Sequence, residues 1–200
     1  MSQQAFNLPN ILTYARILAV PLIVMCFFIE EGLHSSDLRR WSALLVFVAA
    51  SVTDYLDGYL ARIWKQTSNI GMLLDPIADK LLVVTCLVLL VADGTVAGWS
   101  LWAGILILCR EILVSGLREY LAGLKVSVPV TQLAKWKTAI QMVAIAFLLV
   151  GPAGDALMPT GLTMTVGTTL LWISLGVTLY TGYDYLRAGL KHVMDDKLAV

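Results

Sequence analysis

Six apolar runs alternate with short polar connections along the chain, at roughly residues 11–30, 42–62, 72–92, 98–118, 133–151 and 161–181. A helix needs about 17–25 predominantly apolar residues to cross the hydrocarbon core of a bilayer. The pattern therefore predicts an all-α integral membrane protein, a bundle of six transmembrane helices. The fifth run is the weakest, because Lys135 and Lys137 stand near its start. The connections are short and rich in Gly, Pro and Asn, as tight helix turns are. No internal repeat or low-complexity linker divides the sequence, so a single domain over residues 1–200 is expected.

Composition agrees with the pattern. Hydrophobic residues make up 58% of the chain and charged residues 14%, which excludes an ordinary water-exposed globule. The first ten residues carry no Lys or Arg and the first apolar run looks like a full span, so no cleavable signal peptide is expected. The net charge is zero, but its distribution is uneven. The segments after spans two, four and six hold Arg62, Lys65, Arg118, Lys125, Lys135, Lys137, Arg187, Lys191 and Lys197, and those after spans three and five hold none. Only Arg39 and Arg40, in the first connection, break the trend. By the positive-inside rule both termini are expected in the cytoplasm, with the protein in the inner membrane. Trp41, Trp64, Trp99, Trp102 and Trp136 fall near span ends, as interfacial aromatics do. Cys26, Cys86 and Cys109 lie inside apolar runs without metal-like spacing and read as small, reduced, buried residues.

Against this background the stretch "TDYLDGYLARIWKQTSNIGMLLDPIADK" (Thr53 to Lys80) is anomalous, because it holds four aspartates. Asp54, Asp57, Gly58 and Ala61 follow an i, i+3, i+4, i+7 pattern and share one face of span two. Asp75 and Asp79 are i, i+4 on span three, and "KQTSN" with Gly71 reads as a turn between antiparallel helices. Asp57 precedes Trp64 by seven residues and Asp79 follows Gly71 by eight, placing each about 10–12 Å from the turn at ~1.5 Å per residue. The four carboxylates can then meet just inside the cytoplasmic boundary. Packed carboxylates repel one another in low dielectric and stay ionised only if compensated. Arg62 and Lys80 are the bases nearest in sequence, too few for four acids. Oxygen ligands without His or Cys suit hard cations such as Mg²⁺ or Mn²⁺, and two such ions could clamp a pyrophosphate.

The spacing Asp54-x2-Asp57-Gly58-x2-Ala61-Arg62-x8-Gly71-x3-Asp75-x3-Asp79 resembles the signature of the CDP-alcohol phosphotransferase family without a departure. The resemblance implies a six-helix membrane enzyme, usually a homodimer, that uses two divalent cations. Such an enzyme displaces CMP from a CDP-linked lipid or alcohol with an incoming hydroxyl. It further implies that Asp54, Asp57, Asp75 and Asp79 hold the metals and that Asp79 is the general base. Gly58, Ala61 and Arg62 would border the cytidine diphosphate, with Gly71 beside the acids leaving room for close approach. A carboxylate base suits an alcohol nucleophile, which must lose its proton during attack.

The core signature leaves the acceptor open. The segment "NLPNILTYARI" (Asn7 to Ile17) starts polar, and Asn10 and Thr13 could either cap the first helix or hydrogen-bond a nucleotide. Span four carries Arg110, Glu111 and Arg118, and span five opens with Lys135 and Lys137. Pairing with an intramembrane acid, or snorkelling to the interface, would account for each base alone. Gathered on the side of the aspartates, they point to an anionic acceptor, most simply a phosphate. These segments resemble the phosphatidylglycerophosphate-synthesising branch of the family, which implies CDP-diacylglycerol as donor and sn-glycerol 3-phosphate as acceptor. Inositol phosphate, serine and phosphatidylglycerol are the alternative acceptors. No nucleic-acid partner is expected. A cation transporter is the rival of another class, but it favours acids near the midplane and paired broken helices.

Overall fold

The computed structural model describes residues 8–28, 36–64, 69–124 and 132–195. Six α-helices occupy them: α1 (Leu8–Phe28), α2 (Ser36–Trp64), α3 (Asn69–Ala92), α4 (Ser100–Gly123), α5 (Gln132–Val150) and α6 (Leu162–Asp195), with a 3₁₀ segment at Gly151–Ala156. Each predicted apolar run thus falls on a helix. Among the described residues four stretches are long and apolar enough to cross a membrane: Asn10–Phe28, Ser100–Gly123, Trp136–Ala156 and Leu162–Leu190. The remaining helices, α2 and α3, carry the charged residues that interrupt their apolar runs. Large apolar side chains such as Leu18, Met25, Leu45, Leu73 and Ile112 are exposed on the helix surfaces, which suits contact with lipid rather than water. The chain is a multi-pass membrane protein.

Gly71 departs from expectation. Instead of forming part of the turn, it lies inside α3, in its first turns, and is buried. The cysteines depart in part, since only Cys86 is buried while Cys109 is exposed.

By its internal contacts the chain divides into two compact units, Met1–Val96 with Ile145–Gly167, and Ala97–Ala144 with Thr168–Val200. In the first, α1 packs against both α2 and α3. Its core is built from helix-spaced stripes: Ala19 and Ile23 on α1, Ala43, Phe47 and Ala50 on α2, and Ala78, Leu82 and Cys86 on α3. Arg16 and Thr13 are buried one and two turns before Ala19 on the stripe of α1, so two polar side chains point into this core. In the second unit Ala103, Ile107, Val114 and Leu121 of α4 and Leu171 and Leu175 of α6 are buried.

Arg40, one of the two bases that broke the charge trend, is locked into the first unit. Its Nη2 donates to Asp93 Oδ2 at 2.5 Å and to Thr95 Oγ1 at 3.0 Å. Its Nη1 reaches the carbonyl of Leu149 at 3.3 Å, at the end of α5, where terminal carbonyls lack helical partners. Asp93 also accepts from the backbone N–H of Thr95 at 3.0 Å, which ties off the segment after α3. The clasp needs a glycine beside it: Gly151 has φ +51°, and a Cβ there would stand 2.7 Å from Arg40 Nη1.

Gly98 has a similar φ of +56°, but a Cβ at that position would meet nothing within 4 Å. Gly151→Ala should therefore destabilise the protein by about 1–3 kcal/mol. Its melting temperature in detergent should fall further than that of Gly98→Ala, because only the first adds a clash to the backbone strain. Equal losses would show that the Arg40 contact contributes nothing.

Candidate functional site

In the first unit, side chains of α1 meet three of the aspartates, Asp54 on α2 and Asp75 and Asp79 on α3. Thr13 and Arg16, at i and i+3, lie on one face of α1, and Asp75 and Asp79, at i and i+4, on one face of α3. Thr13 Oγ1 donates to Asp75 Oδ1 at 2.6 Å, and Arg16 Nη1 donates to Asp79 Oδ1 at 2.6 Å. The same Arg16 nitrogen lies 2.8 Å from Asp54 Oδ1 of α2. One guanidinium nitrogen thus joins carboxylates from two other helices. The Arg16 side chain is fully buried, whereas those of Asp54 and Asp79 are 44% and 51% exposed. A charge sealed from water is tolerable only when paired and hydrogen-bonded, and here both acids serve it.

Sequence reasoning missed Arg16, counting Arg62 and Lys80 as the only nearby bases. The signal was available: an arginine three residues after Thr13, six after Asn10, on the same face and inside an apolar run. Asn10 is buried beside it on that face. Thr13, expected at a cap or a nucleotide, places its hydroxyl on Asp75. Asp57, Gly58, Ala61 and Arg62 lie on α2, but their side chains fall outside the described residues, as does that of Lys135 on α5.

Three described carboxylates against one guanidinium leave the network negative, and all donors are hard oxygens. Among the described residues no three of His, Cys, Asp or Glu close on a common point as a ready cage. Arg16 meets Asp54 and Asp79 from a fully buried position, while the side chains of both acids are about half exposed. The donor chemistry, the charge excess and this exposure fit a divalent cation.

The basic residues of the second unit form a different network. Glu111 accepts from Lys137, which is buried, and from Arg110 Nη1 at 3.4 Å. Arg110 Nε donates to the Thr178 carbonyl at 3.0 Å and its Nη2 to Thr181 Oγ1 at 2.9 Å, so all three of its nitrogens are engaged within the protein. Gly182 leaves room for it, since a Cβ there would lie 3.0 Å from Arg110 Nε. Lys137 is therefore not an interfacial anchor with its head in water, and Arg110 acts in packing α4 to α6. Arg118 differs: it is exposed, with its guanidinium carbon 5.7 Å from the centre of the Tyr185 ring. Glu111, at the centre of this network, was noted in the sequence only as a neighbour of Arg110. Its importance follows from the rule that an acid in an apolar span needs a base.

The family model described as CDP-alcohol phosphatidyltransferase matches residues 6–180, and the chain belongs to that family. Among curated proteins, the chain is similar to the CDP-diacylglycerol--glycerol-3-phosphate 3-phosphatidyltransferase of Rickettsia bellii, at 46% identity over 93% of this chain and 97% of the relative. The proteins of the same name from Cereibacter sphaeroides and Shigella flexneri are 39% and 36% identical, covering 96% and 95% of this chain and 99% and 98% of their own lengths.

Removing Glu111 would leave Lys137 as an unpaired buried charge. Glu111→Ala should cost about 3–5 kcal/mol, and Glu111→Ala with Lys137→Met should recover part of that loss. Thermal unfolding of both variants in detergent checks this, and a double variant no more stable than Glu111→Ala would contradict the pairing.

Proposed function

We propose that this protein transfers the phosphatidyl group of CDP-diacylglycerol to sn-glycerol 3-phosphate, giving phosphatidylglycerophosphate and CMP. The observation that carries this reading is the convergence of Asp54 and Asp79, from opposite ends of the family signature, on one nitrogen of Arg16. Full-length similarity to relatives bearing that activity's name supports it. The enzyme is a transferase of phospholipid biosynthesis, acting as one domain over residues 1–200.

Asp54, Asp57, Asp75 and Asp79 would hold two divalent cations, Mg²⁺ or Mn²⁺. When bound, these lower the charge on the donor's phosphates and stabilise departing CMP. Asp79 takes the proton from the acceptor hydroxyl as its oxygen bonds to the phosphorus that bears diacylglycerol, and the anhydride bond to CMP breaks. Asp79 suits this role because its side chain is half exposed while Arg16 keeps it oriented. Asn10, Gly58, Ala61, Arg62 and Gly71 border the CDP moiety, and Thr13 contributes by holding Asp75. Arg118, Lys135 and Lys137 recognise the acceptor's phosphate, and Arg110 supports them through Glu111.

All six helices would cross the inner membrane, with both termini and the aspartates on the cytoplasmic side, in a homodimer. The bias of Lys and Arg between connections supports this orientation. So does the Arg40–Asp93 pair, which neutralises one of the two discordant charges.

Purified protein given CDP-diacylglycerol, sn-glycerol 3-phosphate and Mg²⁺ or Mn²⁺ should release CMP, and a chelator should abolish the release. In an acceptor panel with inositol phosphate, serine and phosphatidylglycerol, glycerol 3-phosphate should be preferred. Another preferred acceptor would move the chain to a different branch of the family. Asp79→Asn should lower kcat by about 10²–10⁴-fold, and wild-type turnover would remove its role as base. Arg118→Ala should raise the KM for glycerol 3-phosphate more than that for the CDP-lipid. The reverse ranking would detach Arg118 from the acceptor.

A further inference from the structure

Arg16 makes the most unusual contacts in the first unit. Its side chain has no exposure, yet a single nitrogen, Nη1, lies 2.8 Å from an oxygen of Asp54 and 2.6 Å from one of Asp79. The two acids belong to α2 and α3, and the arginine to α1, which packs against both helices. One turn earlier on the same face, Thr13 holds Asp75 in the same manner at 2.6 Å. The first helix therefore presents two hydrogen-bond donors that fasten three carboxylates from other helices, and does so from the buried side.

Three roles could explain a buried arginine here, and they differ in sign. A pure counter-charge repels a divalent cation, so its removal tightens cation binding. A pure packing residue supports the core, so its removal lowers stability and leaves cation binding unchanged. A tether holds carboxylates in place before the cation arrives, so its removal weakens binding even though a repelling positive charge has gone. The geometry favours the third. One fully buried side chain on α1 contacts a half-exposed carboxylate from each of two other helices, which is the geometry of a brace between them. Arg16 makes these contacts from a position with no exposure of its own.

We infer that Arg16 is the positioning residue of the cation site: from inside the bundle it converges Asp54 and Asp79 so that hard cations meet a preorganised pair of carboxylates. The inference rests on the metal-binding reading given above and adds to it a residue outside the aspartate signature. Residues that orient metal ligands from behind can matter nearly as much as the ligands themselves.

The test measures binding of Mn²⁺ alone, without substrates, to full-length protein in detergent, by the loss of the free-ion electron paramagnetic resonance signal. Wild type, Arg16→Gln, Arg16→Lys and Asp54→Asn are compared, with circular dichroism melts checking that each folds. Arg16→Gln should weaken Mn²⁺ binding by about 10–100-fold, although it makes the site more negative. Arg16→Lys keeps the charge and one point of contact, and should recover part of the affinity. Should the glutamine variant fail to fold, the lysine variant decides alone, with binding weaker than wild type expected. Binding as tight as wild type, or tighter, in a folded Arg16 variant overturns the inference while leaving the metal site intact. Wild-type protein that bound no Mn²⁺, or bound it regardless of Asp54→Asn, would sink the metal reading and the tether together.

Discussion

A guanidinium sealed from water and shared between two half-exposed carboxylates is the constraint on which the first three helices depend. Arg16 cannot leave that position cheaply, because an unpaired charge inside the bundle would cost several kcal/mol. The acids in turn repel one another, and the shared guanidinium offsets that repulsion. Each side makes the other tolerable, and the mutual requirement ties α1 to α2 and to α3. The same pairing leaves the side chains of Asp54 and Asp79 about half exposed. Arg16 thus ties the three helices together through the same carboxylates that would serve binding.

The second unit solves a related problem differently. Arg110, Glu111 and Lys137 lie within apolar helices, and all three are mutually paired or hydrogen-bonded to α6. These three charges are paired inside the protein, which gives the helices a specific register rather than a slippery apolar seam. Arg118 is the exception, exposed and resting near Tyr185. A stacked, solvated guanidinium keeps donors available to an anion, whereas Arg110 has committed its own.

Arg40 shows why charge counting along a chain needs a structure. As a bare residue it opposed the cytoplasmic orientation inferred from the other connections. In the fold it faces Asp93, Thr95 and the terminal carbonyls of α5, and it counts as half of an ion pair rather than as a free cation. Glycines at positive φ, Gly94 and Gly98 before α4 and Gly151 and Gly161 before α6, complete those two connections.

The positions of all six helices, the membrane character and the aspartate signature were legible in the amino-acid order, because each depends on local periodicity or on spacing within about thirty residues. Gly71 slipped from turn to helix because boundaries are the least determined part of a periodic pattern. What the order of residues left open was partnership. Arg16 and Asp79 are 63 residues apart, and Lys137 and Glu111 are 26 apart, and no local rule joins them. A lysine at the start of a span reads equally as an anchor or as a buried ion, and only the packing of helices chooses. The chain therefore determined by itself where carboxylates and bases stand on each helix. Tertiary structure decided which of them meet, because desolvation makes pairing compulsory only once the helices have brought them together.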